Sequence, residues 1–307
     1  MRLTPTTACV AAAFSLATPL LAEVPTLLVD AFPYPQLNTG SGGGLAAIGD
    51  ELAFLTQQPG TEDIYFLDLC DGSVLRQVTP RNSGTGLALA IVTGLGSDGT
   101  WLYAANNDTA GDSVFFRLDP ASGSGPQIFT TTRRYDGITS MNGLLYISVG
   151  SQIEERTAAG TLLRTLAIAG AGLLRGLGDD GTNLFACDAA TGMLYEISVV
   201  DGSVLDSAPG PWPPGFPSLD SLEHHRGRLY LGEVNTQVIY VFGPCGDYDC
   251  DGDIDLSDFT IFQLCFGGAT NPPAPTCPPG VEADCDGDFD VDLADFLIFQ
   301  QNFTGSE

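Results

Sequence analysis

Two short stretches near the C-terminus hold the residues best suited to chemistry: DYDCDGDIDLSD at 247–258 and DCDGDFDVDLAD at 284–295. Laid in register, both place aspartate at loop positions 1, 3, 5, 9 and 12. These are Asp247, Asp249, Asp251, Asp255 and Asp258, then Asp284, Asp286, Asp288, Asp292 and Asp295. A hard cation such as Ca²⁺ takes six to eight oxygens, and a 12-residue loop with acids at alternate positions gathers them around one point. Position 7 adds a backbone carbonyl, here from Asp253 and Asp290. Carboxylates about 4 Å apart repel by roughly 4 kcal/mol per pair at an effective dielectric of about 20. From residue 229 onward there is no Lys or Arg to offset that repulsion, so a cation is required. The rival is a solvated acidic tail. Duplicated spacing argues against it, as do the apolar helices expected after each loop, FTIFQLCF (259–266) and FLIFQQNF (296–303). Position 8 is apolar in both loops (Ile254, Val291), which predicts a short β-bridge between them.

With these residues in hand, the segment from about 245 to 305 resembles the type I dockerin, a small module of two calcium loop–helix units. The resemblance implies two Ca²⁺ sites and a protein partner, a cohesin-like domain, that holds extracellular polysaccharide-degrading enzymes on a scaffold. It assigns partner contact to positions 10 and 11, which are Leu256, Ser257, Leu293 and Ala294 here. The usual Ser-Thr pair is absent. Position 6 is Gly252 in the first loop but Phe289 in the second. That position needs φ > 0, unfavourable for a bulky side chain, so the second site is expected to be the weaker.

Composition bounds what else the chain can do. It has 307 residues, is 44% hydrophobic, and carries a formal net charge of −27, with 38 acids against 11 bases, all Arg. Nucleic acid and anionic membrane surfaces are therefore excluded as expected partners, since both need a positive face. Residues 1–22 read as a signal peptide: Arg2, an apolar run from Ala8 to Leu21, and Ala22 at the cut. No later apolar stretch is long enough to span a membrane, so the mature chain is expected outside the cell or on its surface. Seven cysteines remain after cleavage, and export permits disulfides. Cys265 and Cys277 bracket a Pro-rich segment and form the preferred pair; two of Cys245, Cys250 and Cys285 are expected to join. Cys70 and Cys187 read as buried strand residues, and an odd count leaves one thiol over.

The elements that would carry these loops lie upstream. From 24 to 243 short β-rich runs alternate with Gly, Asp and Asn. LGSDGTWLYAANND (95–108) and LGDDGTNLFACDAA (177–190) lie 82 residues apart, and SMNGLLYISVG (140–150), IGDELAFLTQQ (48–58) and HHRGRLYLGEV (224–234) repeat the pattern. Each is a turn followed by an alternating strand, the mark of a hairpin. A period of about 40 residues predicts a mainly β fold, a propeller of five or six blades, with a β-sandwich as rival. The last unit stops after VIYVFG (238–243), so TLLVDAF (26–32) is expected to supply its outer strand and close the ring, removing exposed edges. The body resembles propellers of the lactonase-like and NHL class. The expected domains are 1–22 signal peptide, 23–243 propeller and 244–307 dockerin-like module.

Catalytic motifs are absent from the body. There is no nucleophile elbow or zinc helix. His224 and His225, beside Asp220 and Glu223, read as a polar turn more readily than as a metal site or an acid/base pair. Asp98, Asp136, Asp179, Asp180, Asp220 and Glu223 recur near blade starts, which would put them at one end of the central channel. There they could bind Ca²⁺ or act on a sugar, though Asp before Gly also simply makes a turn. Arg133 and Arg134 read as solubilising charge, and Gly-rich 38–49 as a flexible entry to the first blade. WPPGFP (212–217) reads as a rigid connector; either Trp101 or Trp212 could stack on a carbohydrate, but lone tryptophans more often pack. The reading is a secreted calcium-binding protein that docks through its module while the propeller presents a ligand- or protein-binding face. The alternative is an extracellular hydrolase or lyase acting on polysaccharide or lactone through channel carboxylates.

Overall fold

The structure is a computed structural model, and it describes residues 24–25, 27–35, 43–58, 61–107, 112–210 and 219–306. The expected signal peptide, Cys9, Trp212 and the 212–217 connector lie outside them. The fold is mainly β: a five-bladed propeller followed by two short helices. Strand β1 (Leu28–Pro33) comes first, then blade one: β2 (Gly44–Ile48), β3 (Glu51–Gln58), β4 (Thr61–Asp68) and β5 (Val74–Val78). Strands β6 (Arg81–Asn82) and β10 (Ser124–Gly125) form a two-residue parallel ladder beside blade two. Blade two itself is β7 (Val92–Ser97), β8 (Leu102–Asn107), β9 (Ser113–Leu118) and β11 (Gln127–Thr131). Blade three is β12 (Ile138–Met141), β13 (Leu144–Val149), β14 (Gln152–Thr157) and β15 (Leu162–Ala167). Blade four is β16 (Leu174–Asp179), β17 (Asn183–Asp188), β18 (Met193–Ser198) and β19 (Val204–Pro209).

Blade five is composite. Strands β20 (Leu219–His225), β21 (Arg228–Glu233) and β22 (Val238–Phe242) are completed by β1, which pairs antiparallel with β22 from Leu28 opposite Phe242 to Pro33 opposite Val238. The N-terminal apolar run therefore closes the ring. Turn chemistry explains the tight hairpins: Asn142–Gly143 takes φ of 53° and 77°, and Arg226–Gly227 takes 50° and 72°. Two successive positive φ values define the type I′ turn that matches the twist of paired strands.

The core is distributed between blades. One cluster joins Ala46, Leu55 and Phe66 to Leu95, Leu102 and Phe116, across blades one and two. Similar clusters fill the other four interfaces among the described residues. Near the axis the inner strands β2, β7, β12, β16 and β20 approach one another backbone to backbone. A Cβ on Gly137 would stand 1.8 Å from the Arg175 carbonyl, and one on Gly176 2.2 Å from the Leu222 amide. A side chain there would push two blades apart. The Gly-rich stretch expected to be a loose entry in fact includes β2, because Gly44 is needed where it meets Leu95.

Helices α1 (Leu256–Cys265) and α2 (Leu293–Asn302) each start three residues earlier than the apolar runs suggested. The reason is capping. The Asp255 and Asp292 side chains each accept from amides in their helix's first turn, and Asp258 and Asp295 accept from the cap amides. Phe259, Phe262, Phe296 and Phe299 stack between the helices with ring centroids 5.6–6.4 Å apart.

Candidate metal centre and propeller channel

In each acidic loop position 12 is the hub. Carboxylate oxygens of Asp247, Asp249 and Asp258 lie within 4.8 Å of one another, as do those of Asp253, Asp255 and Asp258. The second loop repeats this with Asp284, Asp286 and Asp295, and with Asp290, Asp292 and Asp295. Asp258 and Asp295 are completely buried. Asp258 accepts from the amides of Tyr248 (2.6 Å), Asp249 (3.1 Å) and Asp255 (2.9 Å); Asp295 accepts from Cys285 (2.7 Å), Asp286 (3.2 Å) and Asp292 (2.7 Å). The two position-5 residues stand outside these groups and cap their own loops: Asp251 accepts from the Asp253 amide at 3.1 Å, Asp288 from the Asp290 amide at 3.1 Å.

The donor set fits a hard divalent ion. It is all oxygen, and it is electrostatically overfull. Burial, then the neighbouring Asp258 and Asp251, push the Asp249 carboxyl up to about 6. Burial raises Asp258 as well. Oxygens Oδ1 of Asp247 and of Asp290 are buried with no hydrogen-bond partner. A buried anionic oxygen left unpaired is costly, and a cation would relieve it.

The expected β-bridge between Ile254 and Val291 is replaced by another arrangement. The Ile254 carbonyl accepts from Thr304 (3.0 Å) and Gly305 (3.1 Å), and the Val291 carbonyl from Gly267 (3.0 Å) and Gly268 (2.9 Å). Each loop is thus held by the segment that leaves the other loop's helix. Phe289 takes φ of 72° where Gly252 takes 98°, and it is 86% exposed. The positive φ expected at position 6 is present in both loops, and Phe289 gains no burial in exchange.

Bridges join Cys265 to Cys277, Cys245 to Cys285, and Cys70 to Cys250. The last corrects the reading of Cys70 as a buried strand residue. It lies in the turn after β4 and ties the acidic segment to blade one across 180 residues of sequence. Cys187 is buried in β17 and unbridged. Sequence reasoning also missed Arg228, the last base in the chain. Its Nε lies 3.1 Å from Asp247 Oδ2, both side chains nearly fully buried. The counter-ion absent beyond residue 228 is supplied by the first residue of β21.

The body's carboxylates do not share one end of the channel. Inner strands run in the same direction, so Asp136 and Asp220, at their starts, lie at one mouth; Asp98, Asp179, Asp180 and Glu223 lie toward the other. Asp98 accepts from the Thr100 and Trp101 amides, and Asp180 from those of Thr182 and Asn183, so both make turns. Asp220 pairs with Arg175 at 3.2 Å, yet burial pushes its carboxyl up to about 7. Between these strands the axis holds essentially no water-sized space. His224, next to last in β20, stacks on Phe185 with centroids 4.6 Å apart, and burial lowers its pKa. It is a strand residue packed in an interface, not part of a polar turn. Arg133 pairs with Glu154 at 3.1 Å and Arg134 with Asp136 at 3.6 Å. Trp101 packs beneath Arg117, 4.8 Å from its guanidinium carbon.

No family model matches the chain, and no curated protein matches its sequence. Among solved structures, the glutaminyl cyclase of Myxococcus xanthus superposes with a TM-score of 0.53 at 16% identity, covering 71% of this chain and 94% of that one. A nidogen/laminin complex matches with a TM-score of 0.47 at 17% identity, covering 65% and 74%. Virginiamycin B lyase of Staphylococcus aureus matches at 0.40 and 16%, covering 68% and 69%. At such identities the first likeness is one of fold, and it is to a chain almost wholly spanned by this one.

Proposed function

We propose that this is an exported calcium-binding protein in which residues 244–307 form a dockerin-like module, and the propeller presents a ligand- or protein-binding face. The observation that carries the calcium reading is the duplicated convergence of carboxylates on Asp258 and Asp295, two of whose members, Asp247 and Asp290, each hold a buried Oδ1 with no hydrogen-bond partner. Docking is supported by exposure. Leu256 is 70% and Leu293 66% exposed, each at position 10 of its loop, and Ser257 and Ala294 are exposed beside them. The partner these positions suggest is a cohesin-like domain or a surface that displays one. Export is supported by the three disulfides, and among the described residues no helix is long and apolar enough to cross a membrane.

The test combines calorimetry with calcium and binding to an immobilised type I cohesin domain, each with and without EDTA. Calcium uptake with cohesin binding that EDTA abolishes supports the full reading. Calcium uptake without cohesin binding removes the docking half. Absence of calcium uptake removes both.

The second reading is a hydrolase or lyase acting on polysaccharide or lactone, with Asp220, raised to about 7 by burial beside Arg175, as its candidate acid; it requires the closed axis at Asp220 to open to a substrate. Product release in a glycan or lactone screen that Asp220→Asn and Asp136→Asn abolish would establish it.

A further inference from the structure

We propose that Arg228 is a resident cation of the first acidic loop, keeping that loop folded against the propeller without calcium, so that only the second loop depends on the ion for its order. This rests on the calcium reading above and deepens it.

Asp247 opens the first loop. Arg228 Nε sits 3.1 Å from its Oδ2, and Arg228 NH2 donates to the Asp247 backbone carbonyl. Arg228 NH1 lies 3.3 Å from Cys250 Sγ, the sulfur bridged to Cys70. The arginine therefore grips the loop at position 1 and at position 4. Beside it, the Arg226 stem packs on Gly252, where a Cβ would come within 2.7 Å of it; its guanidinium pairs with Asp50 at 2.5 Å and donates to the Cys250 carbonyl at 3.5 Å. Asp247 Oδ1 is buried with no hydrogen-bond partner. One carboxylate thus has one oxygen on a fixed cation and one in reserve.

The second loop has no such arrangement. Among the described residues no arginine forms an ion pair with any carboxylate from Asp284 to Asp295. The equivalent first residue, Asp284, turns back on its own loop and accepts from the amides of Gly287 (2.7 Å), Asp288 (3.2 Å) and Phe289 (2.7 Å). Its carboxylates repel one another with backbone amides but, among the described residues, no arginine to offset them. Backbone strain is matched between the loops, with Phe289 at φ 72° in the second and Cys250 at φ 61° in the first, so the difference between them is one of charge. Chelation should open this loop first and leave the first one closed.

Hydrogen exchange on the full oxidised chain, in EDTA and in calcium, tests this through matched amides: Tyr248, Asp249 and Asp255 in the first loop, and Cys285, Asp286 and Asp292 in the second. In EDTA the first set should exchange at least tenfold more slowly than the second. Arg228→Met should bring the first set down to the second, with the Cys70–Cys250 bridge intact, and calcium should restore both. Asp247→Asn should reproduce the loss without touching the propeller, which covers the case in which the arginine variant disturbs β21. Arg133→Met, which breaks an ion pair with Glu154 in blade three, should leave first-loop protection within twofold. Equal exchange of the two loops in EDTA overturns the proposal, as does unchanged protection in Arg228→Met or an equal loss in Arg133→Met. If calcium protects neither loop of the wild-type chain, it is the calcium reading itself that fails.

Discussion

Single residues here show how a local cost is set by what surrounds it. Phe289 holds φ of 72° with its ring in solvent, so the strain is offset by no packing. Phe289→Gly should stabilise the calcium-free second loop by about 1 kcal/mol and tighten the weaker of two calorimetric binding phases. The mirror change, Gly252→Ala, should destabilise by at least as much, since its Cβ meets Arg226 at 2.7 Å. Within the propeller, burial pushes both Asp220 and Glu62 up to about 7. A carboxyl whose folded pKa is raised contributes stability that is complete below its unfolded pKa, near 4, and is lost as pH rises through the folded value. The propeller's melting temperature should therefore fall from about pH 4 to about pH 7.5 and level off above that. Asp220→Asn should flatten that fall, and a slope unchanged in this variant would count against the assignment. Of these residues the sequence displayed the aspartates and the odd Phe289. It did not display Arg228, because an arginine 19 positions before its partner has no periodic relation to it.

At the scale of elements, two kinds of geometry recur. In the C-terminal segment, Asp258 and Asp295 serve at once as helix N3 cap and as the shared corner of both carboxylate groups. Asp258→Ala removes a capping partner worth about 1 kcal/mol and the hub of the first site. Calcium uptake should drop to one site, while Leu256→Ser, on the exposed face, should leave uptake unaltered. In the propeller the inner strands demand glycine where backbones cross. Gly137→Ala places a methyl carbon 1.8 Å from the Arg175 carbonyl. Overpacking of this kind costs typically 1–3 kcal/mol or more, and the loss should appear as a lower urea midpoint. The hairpins were legible beforehand because Asn-Gly and Arg-Gly turns have a local cause. The splitting of channel carboxylates between two mouths was not, since it depends on where along its inner strand each one falls.

The whole molecule is closed twice. Strand β1 completes blade five, leaving no blade short of its outer strand, and Cys70–Cys250 fastens the acidic segment to blade one. Replacing both Cys70 and Cys250 by serine should release the segment without unfolding the ring. A bridge across so long a loop is typically worth 2–4 kcal/mol, so its loss should uncouple a calcium-dependent melting transition from that of the propeller. A single unchanged transition would mean that Arg228 and its neighbours hold the two parts together unaided.

Sequence alone determined the repeat of four-stranded blades, the closing role of residues 26–32 and the two acidic loops, because each is written in spacing over a few residues or in a regular period. Tertiary structure alone decided which cation faces Asp247, which cysteine reaches Cys250, how the axis is filled and which channel mouth each carboxylate occupies. Those are contacts between segments far apart in the chain. They arise from ring closure and from the seating of the C-terminal segment against blades one and five, and nothing in the local order of residues encodes them.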